Sequence, residues 1–211
     1  MSKFTKYSIG IFATVLVIYL SLDIQNLEKH RAESNTAKFN ATDFAAKFWE
    51  ESLPKSIAEA PQLAEVLNQL NENPQKAFAS YGKKLGISKT SYFMVNGKGT
   101  IEQVADEYIV VLLNDKSNVK IATDFIYGNA VRDGSGKANI DDFLNMTDFN
   151  AVSVSINKLV KEKVVARLRS SAKVGQNLEF TGAFEIGEEN VDLSALLILP
   201  VSVKLSDGKS E

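Results

Sequence analysis

The stretch "SYFMVNGKGTIEQV", residues 91–104, decides the fold class. Its β-branched and aromatic residues are typical of a β-strand, but Gly97 and Gly99 stand in its middle. Glycines inside a strand indicate a bulge or a sharp bend. A small barrel needs such bends to close on itself. The stretch therefore favours a barrel strand.

Four further segments have the composition of strands, and one long segment has helical periodicity. In the run 148–169 the first residues alternate like a strand, but the apolar positions keep helical spacing over the whole length, so a helix is predicted. The predicted strands are 107–115, 118–128, 177–187 and 195–206. The order of three strands, one helix and two strands is that of an OB-fold, a five-stranded Greek-key barrel. An open α+β sheet with the same elements is the alternative.

Residues 39–90 form a predicted helical segment that packs on the barrel of residues 91–208. Asn40 or Thr42 can cap a first helix, and Pro54 is expected to limit it. A second helix follows Pro54, and the pair Asn73-Pro74 is typical of the start of a third. The spacing of Phe44, Phe48 and Trp49 favours a core face over a ligand platform.

The first 24 residues predict a membrane anchor, and residues 25–38 a polar stalk. Lys3 and Lys6 precede an apolar run from Tyr7 to Leu22, which is near the lower length limit for a spanning helix. A cleaved signal peptide is the alternative, but no small-residue cleavage site follows the run. We expect a single-pass anchor in the inner membrane, with most of the chain in the periplasm.

Composition argues against several classes of function. The net charge is -2, and no basic cluster is visible, so nucleic acid is not expected as a partner. The 211 residues contain no Cys, which excludes thiolate zinc sites, disulfides and thiol catalysis.

The segment "IYGNAVRDGSGKANIDDF", residues 126–143, is rich in Gly, Asp and Asn, as metal loops and active-site loops often are. Lys137, Ala138 and Leu144 occupy positions that defeat a calcium-loop template starting at Asp133. Neither a phosphate loop nor a nucleophile–base set can be assembled, so no cofactor, metal site or enzyme activity is expected. The segment is interpreted as the connector between the third strand and the barrel's helix, with ordinary turn chemistry in Asp-Gly-Ser-Gly.

Arg132 and Asp133 are the notable residues of this connector. On an extended strand, neighbouring side chains point to opposite faces, so the two are not expected to pair with each other. Two interpretations stay open. Arg132 could form a structural ion pair, for instance with a carboxylate from the helical segment, or it could bind a carbohydrate or an anion.

Four stretches resemble the domain-of-unknown-function 2291 (DUF2291) family of predicted periplasmic lipoproteins. They are "FNATDFAAKFWEESLP", "IYGNAVRD", "DFLNMTDFNAVSVSIN" and "VGQNLEFTGAF". The matched positions include Phe39, Trp49, Leu53, Pro54, Gly128, Ala130, Arg132, Asp133, Phe143, Asn145 and Asn157. The likeness runs from about residue 39 to the end, but without Cys the chain departs from the lipoprotein label.

The resemblance implies a membrane-attached periplasmic protein, often met alongside components of sugar ABC transporters, with no established reaction. We expect a binding or accessory protein of such a system. An envelope carbohydrate-active enzyme and a purely structural scaffold are the alternatives. Trp49, Arg132, Asp133 and Asn145 are the candidate ligand- or partner-binding residues, because they lie on motif positions of the family.

Overall fold

A computed structural model of the chain describes residues 39–207. The predicted anchor, 1–24, and the predicted stalk, 25–38, lie outside the described residues. Among the residues that are described, none of the helices combines the length and the apolar character needed to cross a membrane.

Five strands form a closed barrel in the order β1-β2-β3-β5-β4, as expected for an OB-fold. Neighbouring strands are antiparallel except β3 and β5, which run parallel. The strands are β1 (Thr90–Val104), β2 (Tyr108–Leu113), β3 (Asn118–Ala122), β4 (Asn177–Gly187) and β5 (Leu197–Ser206). The predicted barrel is confirmed, and the open-sheet alternative is not observed.

The long strand β1 closes the barrel because its two ends pair with different neighbours. Residues 90–100 pair with β4, and residues 99–104 pair with β2, with a bulge between Ile101 and Gln103. A side chain at Gly97 would overlap the ring of Phe180, and one at Gly99 would overlap the Leu112 carbonyl. The two glycines that indicated a bend in the sequence are thus required by close contacts.

The barrel encloses an apolar core. Inward-facing residues of β1 and β4 alternate with outward-facing ones, and the Phe93 and Phe184 rings stack with their centroids 4.9 Å apart. Leu63, Val66 and Leu70 from one helix complete the core.

The helices are short and lie between the strands or before them. They are α1 (Ala41–Lys47), α2 (Leu53–Glu59), α3 (Leu63–Glu72), α4 (Pro74–Tyr81), α5 (Ala130–Ser135), α6 (Met146–Val160) and α7 (Ala166–Ser171). A π-helical turn, Phe48–Ser52, joins α1 to α2, a second one, Lys161–Val165, joins α6 to α7, and a 3-10 turn spans Ile140–Asp142. Asn40 caps α1 and Asn73 caps α4, as predicted.

Pro54 does not end the first helix, contrary to the sequence-based expectation. The π-helical turn shifts the hydrogen bonding by one residue, so that the Leu53 N–H donates to the Phe48 carbonyl. Pro54 then occupies a first-turn position of α2, where a missing N–H is tolerated.

The segment between β3 and α6 is also different from the prediction. The third strand was expected to continue to Gly128, but β3 ends at Ala122 because its partner residue, Tyr108, is the first residue of β2. The chain then forms the helix α5, which packs on β1 and β4. We call α1, α2, α5 and α6 the outer layer: α2 and α5 pack on β1, α6 packs on α5, and α1 packs on α6.

Candidate binding cleft

A cleft of about 260 Å³ opens between the β4–β5 connection and the segment that follows β3. Leu196, Leu197 and Leu199 give it an apolar floor, and Glu185, Asn190 and Asp192 bring polar groups to it. The other lining residues are Phe125, Tyr127, Gly128, Ala130, Phe184, Ile186, Gly187 and Ala195. An apolar cavity with a few convergent polar groups is the usual form of a ligand site.

Two aromatic side chains at the cleft are exposed to solvent. Phe125 is 53% exposed and Tyr127 is 71% exposed. Both lie in the segment that leaves the barrel after β3, where no neighbouring strand covers them. Exposed aromatic rings beside carboxylate and amide groups can stack on a ligand whose polar edge they leave free to hydrogen-bond.

The cleft carboxyls have different proton affinities. The Glu185 side chain reaches solvent, yet partial burial and the negative charge of Asp133 raise its pKa. The pKa of Asp192 is lowered, because its carboxylate accepts hydrogen bonds from the side chain and backbone of Ser194. Burial also raises the pKa of Tyr92, the cross-strand neighbour of Glu185, with Glu185 and Asp133 adding to the effect.

The segment 123–129 is held in place from the side of α6. Gly128 has φ of +80°, a left-handed conformation that suits glycine, and its carbonyl accepts a bond of 2.9 Å from Asn157 Nδ2. This bond ties the aromatic segment to the long helix.

Arg132 and Asp133 pair with each other, contrary to the prediction made for an extended strand. They lie on the helix α5, where neighbouring side chains need not point to opposite faces. Arg132 Nε and Nη2 donate to the two Asp133 carboxylate oxygens over 2.6 and 3.0 Å. Both residues are buried, with 1% and 7% exposure.

The guanidinium of Arg132 has a third partner and a ring beneath it. Nη1 donates to the Phe149 carbonyl over 2.8 Å, and the guanidinium carbon lies 3.4 Å from the centroid of the Phe149 ring. With its three nitrogens engaged and its face covered, Arg132 is built into the outer layer. It does not line the cleft.

The other two candidate residues lie elsewhere. Asn145 caps α6 by accepting the Asp148 N–H over 2.9 Å, and it is exposed. Trp49 lies in the first π-helical turn, half-buried, with Lys163 Nζ 5.6 Å from its ring centroid. The structure brings Arg132 and Asp133 together, but it does not gather the four candidate residues into one site.

Sequence reasoning missed the cleft residues. The sequence pattern predicts that "DFIYG" belongs to the third strand, where Phe125 and Tyr127 would be packed. Both residues lie beyond Ala122, the last residue of β3 that pairs with β2, and the sequence of β3 alone does not mark this end. In the described range, 39–207, no group of three or more His, Cys, Asp or Glu side chains could hold a metal ion.

Comparison with known proteins gives a family and a solved fold. A family model described as "Predicted periplasmic lipoprotein (DUF2291)" matches residues 12–204. A crystal structure described as that of an OB-fold protein from Thermotoga maritima MSB8 is similar to this chain, with a TM-score of 0.73 and 26% sequence identity. The match covers 81% of this chain and 100% of that one. A search of curated proteins gives no match.

Proposed function

The chain belongs to the DUF2291 family of predicted periplasmic lipoproteins, and from that premise we propose that it is a membrane-anchored periplasmic accessory protein that binds saccharide. The cleft between the β4–β5 connection and the segment after β3 is the proposed binding site. The binding is proposed to serve a sugar ABC transport system.

The observation that carries this proposal is the composition of the cleft. Phe125 and Tyr127 offer exposed rings on which a sugar face can stack, and Glu185, Asn190 and Asp192 can hydrogen-bond its hydroxyl groups. No Lys, Arg or His lines the cleft within residues 39–207, which disfavours an anionic ligand. The β4–β5 loop is also one of the loops with which OB-folds bind oligosaccharides.

The membrane attachment is proposed to come from the N-terminal apolar run. A lipoprotein is anchored through a lipidated Cys, and the 211 residues contain none. Residues 1–24 would perform the same mechanical role as a single helix in the inner membrane. This leaves the barrel on the periplasmic side, where incoming sugars and transporter components are accessible.

Binding can be tested by calorimetry and thermal shift with a panel of neutral sugars, using the full chain in a detergent without a sugar head group. We expect one or more sugars to bind and to raise Tm, and Phe125→Ala to weaken that binding. Leu144→Ala is the matched control, because Leu144 is 96% exposed and does not line the cleft. If no sugar binds, or if both variants bind alike, the proposal is wrong and a structural scaffold is favoured.

A carbohydrate-active enzyme is a second candidate, favoured by one observation. The cleft contains one carboxyl with a raised pKa, Glu185, and one with a lowered pKa, Asp192. Glycoside hydrolysis uses a protonated and an ionised carboxyl of this kind. The test is release of a chromogenic aglycone: hydrolysis abolished by both Glu185→Gln and Asp192→Asn would favour the enzyme, and no hydrolysis by the wild type would exclude it for those substrates.

A further inference from the structure

A second groove lies on the other side of the segment that carries Tyr127. It runs between this segment and α6, and Tyr127 and Gly128 line both the groove and the cleft. The groove has a volume of about 570 Å³ and is broad and open. The cleft and the groove therefore meet at Tyr127 and Gly128.

Besides two lysines, the groove is lined by uncharged hydrogen-bonding groups. Asn150 presents an exposed amide and Ser153 adds a hydroxyl, whereas the amides of Asn129 and Asn157 already bond Tyr92 and the Gly128 carbonyl. An amide offers both donors and acceptors, which is the requirement for binding hydroxyl groups. Tyr127, exposed at the shared edge, offers a ring to the same ligand.

The two cations of the groove are near carboxylates. Lys158 Nζ lies 3.9 Å from Glu162, and Lys161 Nζ lies 3.8 Å from Asp124. Both pairs are solvent-exposed, and Asp124 also lies 3.7 Å from Arg169 Nη1, so these pairs are weak. The two ammonium groups remain available to donate hydrogen bonds to hydroxyl groups of a ligand.

Ser153 supplies a second, independent indication of a ligand. Its residue exposure is 5%, and Oγ is the buried side-chain polar atom that has no hydrogen-bond partner in the described part of the chain. A helical serine often bonds the carbonyl one turn earlier, but here that carbonyl, of Phe149, accepts from Arg132 Nη1. Buried hydroxyls without a partner are rare and call for an explanation.

We infer that the groove is a second saccharide subsite, so that the ligand is an oligosaccharide of two or more sugar units lying across Tyr127. One unit occupies the cleft, and the next occupies the groove, where a hydroxyl group of the ligand gives Ser153 its missing partner. This inference rests on the proposed function and names the size of its ligand.

The test compares each monosaccharide with its disaccharide, using the full chain in a detergent without a sugar head group. The probe pairs are glucose with maltose, glucose with cellobiose, galactose with lactose, and xylose with xylobiose. For the pair that binds, we expect the disaccharide to bind about three- to tenfold tighter, the gain from one or two added hydrogen bonds.

Two groove variants, Ser153→Ala and Asn150→Ala, should remove this advantage and leave monosaccharide binding unchanged. Ser170→Ala is the matched control, since its hydroxyl is exposed on α7 and bonds only near its own turn. A disaccharide advantage that survives both groove variants would overturn the inference.

Failure of the proposed function would look different. Either no probe would bind the wild type, or binding would persist in Phe125→Ala; both results overturn the cleft and the groove together. If Phe125→Ala abolishes binding and mono- and disaccharide bind alike, only the groove is wrong. The melting temperatures of all variants, measured without sugar, separate loss of binding from loss of folding.

Discussion

The barrel interior and the outer layer are both closely packed, but different interactions hold them. In the interior, apolar side chains such as Phe93, Val95 and Ile101 lie against one another, and within residues 39–207 the buried charged residues, Arg132 and Asp133, lie outside this core. In the outer layer, the fully buried side chain of largest volume is Arg132. Arg132 is held by its ion pair with Asp133 and by its contact with the Phe149 ring, whereas the interior is held by hydrophobic contacts.

The two regions should differ in how much a substitution lowers the stability of the protein. An apolar core tolerates many substitutions that conserve volume, because hydrophobic contacts have little directional requirement. A buried charge needs its particular partner, because water is not available to replace it. The outer layer should therefore be the more sensitive region. The following substitutions measure the effects at its buried charge pair, at its contact with β1, at two of its serines and at Glu185, in order of decreasing effect.

The largest effect is expected from Asp133→Ala. It leaves the Arg132 guanidinium buried with its main partner removed, which should lower the free energy of unfolding by about 3–5 kcal/mol. Urea unfolding of the full chain in detergent, followed by circular dichroism, measures this. The matched control is Glu179→Ala, which breaks an exposed pair with Lys98 and should cost about 1 kcal/mol or less. Equal losses in both variants would mean that the buried pair has no special role.

A smaller loss is expected from Gly134→Ala, at the contact between the two regions. An added Cβ would lie 2.9 Å from the Phe93 carbonyl oxygen and would push α5 away from β1, at a cost of about 1–3 kcal/mol. Gly187→Ala is the control, because nothing lies within 4 Å of its added Cβ. The same unfolding measurement applies, and a Gly134→Ala protein as stable as Gly187→Ala would show that α5 can move freely.

Two serines of the outer layer should respond in opposite directions. Ser56 Oγ donates to the Ser135 carbonyl over 2.9 Å, so Ser56→Ala should destabilise the protein by about 1 kcal/mol. Ser153→Ala removes a hydroxyl that has no partner, so the free energy of unfolding should stay the same or rise slightly. Destabilisation by Ser153→Ala would point to a hydrogen bond that this hydroxyl makes in solution.

The smallest effect is a pH dependence from Glu185. Its pKa is raised in the folded state, so folding is favoured when the carboxyl is protonated, and the stability falls as pH rises through the raised pKa. Glu185→Gln should therefore be more stable than the wild type near neutral pH, with the difference vanishing below the ordinary glutamate pKa of about 4.3. Unfolding midpoints at several pH values measure it. A difference that grows toward acid pH would contradict the sign.

The barrel was predictable because its signals are local or periodic. Each of these signals can be recognised within a single strand or helix: Gly97 and Gly99 in β1, the alternation in β4, and the helical spacing over 148–169. Arg132 was not predictable, because its environment depends on whether residues 130–135 form a strand or a helix. In the structure these residues form a helix that approaches β1 closely at Gly134. The cleft was missed for a related reason: where β3 ends is decided by the length of β2, not by the sequence of β3.

The two-sided pairing of β1 also sets the order in which the barrel can form. β1, β2 and β3 follow one another closely and can pair as soon as they are synthesised, since short loops close at little entropic cost. The other edge of β1 must wait for β4, whose pairing joins Thr90 to Gly187. Until then Phe93 and Val95 belong to an unpaired strand edge, which is the kind of surface on which chains aggregate. Closing this edge is therefore the late step in the formation of the barrel.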